Sequence, residues 1–453
     1  MDNLLKQLVQ GKALLFIIVL GLGGNFQVGC HNTLISSPSP FIKRFINSSW
    51  SQRYGEAPGE NTVTFIWSAV VSIFALGGLL GSISVRWFSN QLGRKKAMIW
   101  NNAINVVALG TMVASKSANS FEMILLSRFF FGFTSGLGGS LHILYLGESS
   151  PKKIRGMVTL TVATFKAVGK MTGQIAGLSE ILGREDWWNI LLGVPAFFSI
   201  IQMVTLPFFP EAPRYLLIEK GNTEQCKKAL QCLWGPGDYK LEIEEMLVEQ
   251  AAQKGERSKT LLELLRDQSV RWQLLTMFVL NAAIQFGGVP AGMLIDRVGR
   301  RVLLWGGFGS MSIIMALITL SLELKDYSFW VPYSTVGLIF LFVICFGGGP
   351  AGVIPSLSHE VFIQSYRSAA FVFIGILMWA GFFLLGFIFP FLLATMKSFS
   401  FALFSCVCFS ASLYIYFILP ETKGKTPLEI SEDFRNIRLC GSSADNKCLE
   451  TRL

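Results

Sequence analysis

Eleven stretches of this chain are apolar for about the length of one bilayer crossing: residues 13–30, 65–88, 97–115, 121–146, 157–178, 188–209, 273–295, 302–322, 331–355, 370–394 and 398–419. A helix needs ~20 such residues to cross the hydrocarbon, where every backbone polar group must find its partner inside the segment. Charged residues make up 15% of the chain and hydrophobic ones 51%, too apolar for a surface solvated all round by water. The pattern predicts an all-α integral membrane protein. The first run follows Lys6 and Lys12 but lacks a small-residue cleavage site, so it reads as a retained span and not a signal peptide. Eight cysteines are scattered, several inside apolar runs (Cys345, Cys406, Cys408). They match neither a disulfide framework nor metal-ligand spacing.

The net charge of +10 invites a polyanion partner, but its distribution excludes nucleic acid. With the N-terminus in the cytosol, and the loop holding Arg297, Arg300 and Arg301 also inside, most Lys and Arg fall in inward-facing segments. This is the positive-inside rule, and it accounts for the basic balance. The same orientation puts the sequon Asn47-Ser48-Ser49 in an outside loop spanning about residues 31–64, which makes Asn47 the candidate glycosylation site. Both termini are expected in the cytosol.

Residues 210–271 form the long polar interval. Asn222-Thr223 predicts a helix cap, Gly235-Pro236-Gly237 a stop, Asp238 the start of a second amphipathic stretch, and Thr260 to Glu263 a capping box. Short linker helices follow, between a six-helix bundle at 1–209 and a second bundle at 272–420, with a tail at 421–453.

Internal repetition carries the functional reading. Asn90-Gln-Leu-Gly-Arg94-Lys95 returns as Asp296-Arg-Val-Gly-Arg300-Arg301, 206 positions on, and Glu148 with Arg155 seven residues later returns as Glu360 with Arg367. Duplicated halves with matched basic loops mark a secondary transporter built from parallel repeats. Arg–carboxylate pairs are strong and directional. Pairs at the inner ends of spans, made between the two halves, would have to break as one half rocks against the other. Arg94, Arg128, Glu148, Arg155, Glu211, Arg214, Arg300, Glu360 and Arg367 are the candidates for this gating role. Arg128 joins them because an arginine inside a span needs a partner.

At these residues the chain resembles the facilitative sugar transporters of the major facilitator superfamily, the glucose-transporter family. The resemblance rests on Gly24-Asn-Phe-Gln27, Gly93-Arg-Lys-Lys96, Arg128 with Gly132 and Gly136, Tyr145-Leu-Gly-Glu148-Ser-Ser-Pro151, Pro210-Glu-Ala-Pro-Arg214, Asp296 to Arg301, Glu360-Val-Phe362 and Pro420-Glu-Thr-Lys-Gly424. Gly349-Pro-Ala-Gly352 is similar to the fructose-accepting class. The resemblance implies two pseudo-symmetric helical bundles, a central hexose site and downhill transport by alternating access at the plasma membrane, with a small sugar and the lipid bilayer as partners and no cofactor. It implies substrate contacts at Gln27, at Gln285 in the seventh helix (beside Ile284, where the family has a second glutamine) and at Trp379 in the eleventh. Lys166 and Lys170 lie on one face of the fifth span, which the resemblance turns toward the cavity. There they would favour anionic or strongly hydrogen-bonding solutes. The first span carries no Asp or Glu, which favours uniport over proton symport.

One departure is large. Between Gln273 and Asp296 the family places two helices, needing ~40 residues, so the seventh and eighth helices are expected to be truncated or fused. The competing reading is therefore a transport-deficient or regulatory membrane protein lacking part of the sugar site. Gly347 to Gly352 formally fits a dinucleotide-binding glycine motif, but it follows an apolar helical run and contains Pro350. His31, His142 and His359 show no ligand spacing, and no enzyme signature is present. Thr451-Arg-Leu453 has the form of a ligand for a PDZ-domain protein, a weak three-residue signal.

Overall fold

The computed structural model describes residues 11–237, 239–255, 261–267, 270–285, 300–324, 327, 330–348, 357, 361–362, 364–422 and 427–435. Among these the regular structure is helical. Helices α1 (Ala13–Gly23) and α2 (Asn25–Leu34) form the first span, broken at Gly24. They are followed by α3 (Ser39–Tyr54), α4 (Glu60–Leu92), α5 (Arg94–Ser117), α6 (Phe121–Ser149), α7 (Lys152–Ala176), α8 (Trp188–Leu191) and α9 (Val194–Thr205). Short helices α10 (Pro213–Ile218), α11 (Thr223–Trp234), α12 (Lys240–Gly255) and α13 (Leu261–Arg266) occupy the polar interval. Then come α14 (Arg271–Gln285), α15 (Arg300–Glu323), α16 (Val331–Gly348), α17 (Gln364–Met396), α18 (Phe399–Ile418) and α19 (Pro427–Arg435).

Of the eleven apolar runs, seven lie in described helices long and apolar enough to cross a membrane: Ala13–Leu34, α4, α5, α6, α15, Val372–Met396 within α17, and α18. The other four differ for visible reasons. Helix α7 has the length but carries Lys166 and Lys170 mid-helix, whereas α9 has 12 residues and α14 has 15. At 1.5 Å per residue the described part of α14 reaches ~22 Å of a ~30 Å hydrocarbon core, and the rest of its run lies outside the described residues. The run at 331–355 is helical to Gly348, and its remainder lies outside the described residues. Large apolar side chains on the outer faces, such as Phe197, Phe340, Ile344 and Phe417, are more than half exposed, as suits a lipid-facing surface and not a wet one.

The chain divides into two compact units: residues Met1–Arg257 with Met378–Thr395, and Ser258–Leu377 with Met396–Leu453. The linker does not stand alone, because α11 buries Cys226, Leu230, Leu233 and Trp234 in the same core as Phe16, Tyr145 and Phe209. The Trp234 indole also donates to the Ser149 carbonyl at 2.8 Å. The segment from Met378 joins the first unit because Trp379 seats on Gly78 and Phe74. Within the linker the expected cap is present, with the Asn222 side chain accepting the Gln225 N–H at 2.9 Å.

In the first unit α4 and α6 cross where Gly77 and Gly81 face Gly132 and Gly136. A Cβ added at any of the four would overlap a backbone carbonyl of the other helix. This is the small-xxx-small solution to packing in lipid, where dispersion and not the hydrophobic effect joins helices. In the second unit α15 and α18 use hydroxyls instead. Ser312 donates to the Ser405 carbonyl at 3.0 Å, Ser405 returns the bond at 2.7 Å, and Ser412 donates to the Trp305 carbonyl at 2.7 Å.

Candidate functional site

The functional side chains of the first unit gather where α5 begins. Gly93 turns the chain from α4 into α5 with φ +81°, a conformation L-residues avoid, and a Cβ there would lie 2.7 Å from Glu211 Oε2. The turn delivers Arg94 into a buried position. Its Nη2 donates to Glu148 Oε1 of α6 at 2.8 Å, and its Nε stands 2.7 Å from Oε2 as an ionic contact without hydrogen-bond alignment. Nη1 reaches Glu219 at 2.8 Å and the Ser89 carbonyl at 3.3 Å, and the cation lies 4.6 Å above the Tyr215 ring. A charge-assisted hydrogen bond of this kind is about twice as strong as a neutral one. Burial makes it costly to leave half-made.

Two members of this cluster, Glu219 and Tyr215, are absent from the sequence reading. The sequence points instead to Arg214, which sits in α10 near enough for its charge to act on Glu148. Among the described residues, Arg94's partners belong to its own unit. The reason is local: α5 and α6 are adjacent, and α10 returns to the same end.

A second arrangement occurs in both units. Glu211 Oε1 accepts the N–H of Lys95 at 2.9 Å and of Ala212 at 3.0 Å, capping the start of α5. In the second unit Glu421 accepts the N–H groups of Arg300 at 2.8 Å, Arg301 at 3.2 Å and Thr422 at 3.1 Å, capping the start of α15. A carboxylate there meets both the orphan donors and the positive end of the helix dipole. Both basic repeats therefore open a helix held by a glutamate from the end of the same half. Replacing Glu421 by alanine is expected to cost about 1–2 kcal/mol, the scale of a lost N-cap, with Glu211→Ala similar. Melting of the purified variants checks this, and an unshifted transition in both would refute the caps.

Deeper in the first unit, Arg128 of α6 is buried, with its Nε–H 3.4 Å from the Val70 carbonyl and its cation 4.5 Å from the Phe74 ring. Gln27 is also buried. Its amide donates to Ser199 at 2.8 Å and accepts from Asn105 at 2.7 Å, and Asn105 in turn donates to Ser199 at 2.7 Å and accepts from Thr134 at 3.3 Å. Both amide heteroatoms of Gln27 are thus engaged by neighbouring helices, a network that clamps α2, α5, α6 and α9. Lys166 and Lys170 are half-buried on α7, whose backbone runs against Gly29 of α2.

Trp379 is buried on α4, whereas Gln285 ends α14 with its side chain outside the described residues. The same holds for the side chains of Arg155 and Arg367, for Glu360, and for residues 286–299, where the seventh and eighth helices would be shortened. The C-terminal tripeptide also lies outside them. Asn47 is exposed, but on helix α3 and not in an irregular loop, and its sequon partner Ser49 donates to the Asn119 carbonyl at 2.7 Å.

The model of the sugar (and other) transporter family matches residues 16–293 and 289–434. Human solute carrier family 2, facilitated glucose transporter member 9 is 38% identical, over 91% of this chain and 83% of the relative. Human member 11 is 37% identical, over 96% and 95%, and horse member 5 is 35% identical, over 92% and 91%. In structure the chain resembles the xylose transporter XylE from E. coli in its inward-open conformation, with a TM-score of 0.74 at 18% identity, covering 93% of this chain and 99% of that one. It also resembles the proton:xylose symporter XylE bound to 6-bromo-6-deoxy-D-glucose, with a TM-score of 0.68, over 92% and 98%. A multi-pass helical membrane protein with duplicated basic loops, glutamate-capped in each unit, and with relatives of this kind along nearly its whole length, the chain belongs to the sugar (and other) transporter family and has the major facilitator fold.

Proposed function

We propose that the protein carries hexoses such as fructose and glucose downhill across the plasma membrane, as a uniporter working by alternating access. The observation that carries this reading is the buried ionic cluster at Arg94, matched by the paired glutamate caps on α5 and α15. The cluster latches the ends of α5, α6 and α10 together within the first unit, so that the unit moves as one body in alternating access. The relatives named for facilitated glucose transport support the substrate class. The absence of Asp and Glu from Ala13–Leu34 supports uniport. In this reading Trp379 offers an aromatic face to the sugar's C–H surface, Gln285 an amide, and Lys166 with Lys170 donors that also suit anionic solutes.

A second reading has its own support. The family match falls in two segments meeting at residues 289–293, and only 14 residues separate α14 from α15. A chain lacking part of helices seven and eight would keep the scaffold and lose a wall of the site.

Uptake of radiolabelled fructose and glucose into proteoliposomes separates the two. A transporter fills vesicles to equilibrium with or without a protonophore, and Trp379→Ala lowers the initial rate severalfold in protein that still purifies as a single species. Uptake no faster than in empty vesicles would establish the transport-deficient form.

A further inference from the structure

Of the buried polar groups in the first unit that lack a hydrogen-bond partner, two stand against the same ring and can carry or donate charge-assisted bonds. His31 of α2 is 1% exposed, and neither ring nitrogen has a hydrogen-bond partner among the described residues. Arg128 of α6 is 2% exposed, and its Nη1 likewise has none. Both stand against one aromatic wall. The His31 ring lies 5.7 Å from that of Phe74 and 4.7 Å from that of Phe131, while the Arg128 cation sits 4.5 Å over Phe74. They are close enough for the arginine charge to act on the imidazole.

Buried polar atoms without partners are rare, and a buried guanidinium without a counter-charge rarer still. Among the described residues Arg128 forms no ion pair, and the helices around it offer one long carbonyl contact and a ring face. Water could occupy the unmet donors but would leave the charge uncompensated, inside a span where that costs most.

We propose that Arg128 and His31 form a binding site for one small monovalent anion of the halide class, held between Nη1–H of the arginine and a ring N–H of the histidine. Enclosure by Phe74 and Phe131 selects against larger organic anions, which could not enter without parting α2 from α6. The anion acts as a removable counter-charge that stabilises the first unit and is separate from the sugar. The inference therefore stands whether or not the chain transports hexoses.

The test is thermal unfolding of the full chain in lipid nanodiscs, titrated with sodium bromide against sodium gluconate at constant ionic strength. Bromide should raise Tm saturably and gluconate should not. His31→Phe, which keeps the ring packing and removes the donor, should raise the half-saturating bromide concentration at least about tenfold. Should that variant fail to fold, Arg128→Lys, which keeps the charge but loses the fork, should weaken the bromide response in the same way. Equal effects of bromide and gluconate on the natural chain would overturn the proposal. So would an unchanged half-saturation in whichever variant folds.

Discussion

Gly132→Leu is expected to yield no folded protein. At this position α6 passes the carbonyl of Phe74 so closely that even a methyl group would overlap it, and the same holds at Gly136 against the Gly78 carbonyl. The obstructing atoms are backbone, which cannot rotate away as a side chain would. The helices must separate, and separation dismantles the reciprocal contacts of Gly77 with Phe129 and Gly81 with Phe133. Ordinary overpacking costs ~1–3 kcal/mol because side chains give way. Here α4 and α6 would lose their whole interface, in a solvent that offers no hydrophobic force to restore it. Gly110 of α5 is the matched control, since a Cβ there meets nothing within 4 Å. Size-exclusion profiles of detergent-extracted protein should show Gly110→Ala as a single species and Gly132→Leu as aggregate or absent. A monodisperse Gly132→Leu would disprove the close crossing.

Arg94→Leu is expected to destabilise the first unit by about 3–5 kcal/mol, the cost of stranding one partner of a buried pair. Glu148 would keep its buried position but lose its hydrogen bond from Nη2 and the ionic contact with Nε, and Glu219 would lose its contact with Nη1. Two carboxylates would then face each other across an emptied site. The double variant Arg94→Leu with Glu148→Leu should regain part of the loss, because it removes the stranded charge. Melting of the three proteins in nanodiscs gives the coupling directly. Under the proposed function, Arg94→Leu should also shift the balance of facing states and slow sugar exchange. Stability and exchange rates both equal to those of the natural chain would remove Arg94 from the latch.

The residues of these two predictions differ in how far they can be read without a fold. Arg94 and Glu148 announce themselves, as charges at the ends of apolar runs that recur in a second copy 206 and 212 positions later. Glu219 does not, because it becomes a partner only when the chain turns at Pro213 and brings α10 back to the start of α5. Glu421 is similar. Its motif is visible in Pro420-Glu-Thr-Lys-Gly424, but its task as a cap for α15 depends on helix ends meeting across 120 residues of chain. Gln27 has a task that the sequence does not announce. Its amide suggests a sugar contact, yet Asn105 and Ser199 take up both of its heteroatoms. His31 and His142 show no ligand spacing in the sequence, yet they differ in place: His142 Nδ1 meets the Asn25 N–H at 3.3 Å, whereas His31 has no hydrogen-bond partner among the described residues.

Hydropathy, charge asymmetry and internal repetition suffice to establish helical spans, a duplicated chain and a transporter family, because solvation in lipid acts on each segment separately and leaves its mark in local composition. Which carboxylate neutralises Arg94, which glutamine is spent on packing, where two helices touch backbone to backbone and which buried donors stay unmet are properties of pairs distant in the chain. A pair interaction depends on separation and orientation to a fraction of an ångström, and those are set only when the helices have packed.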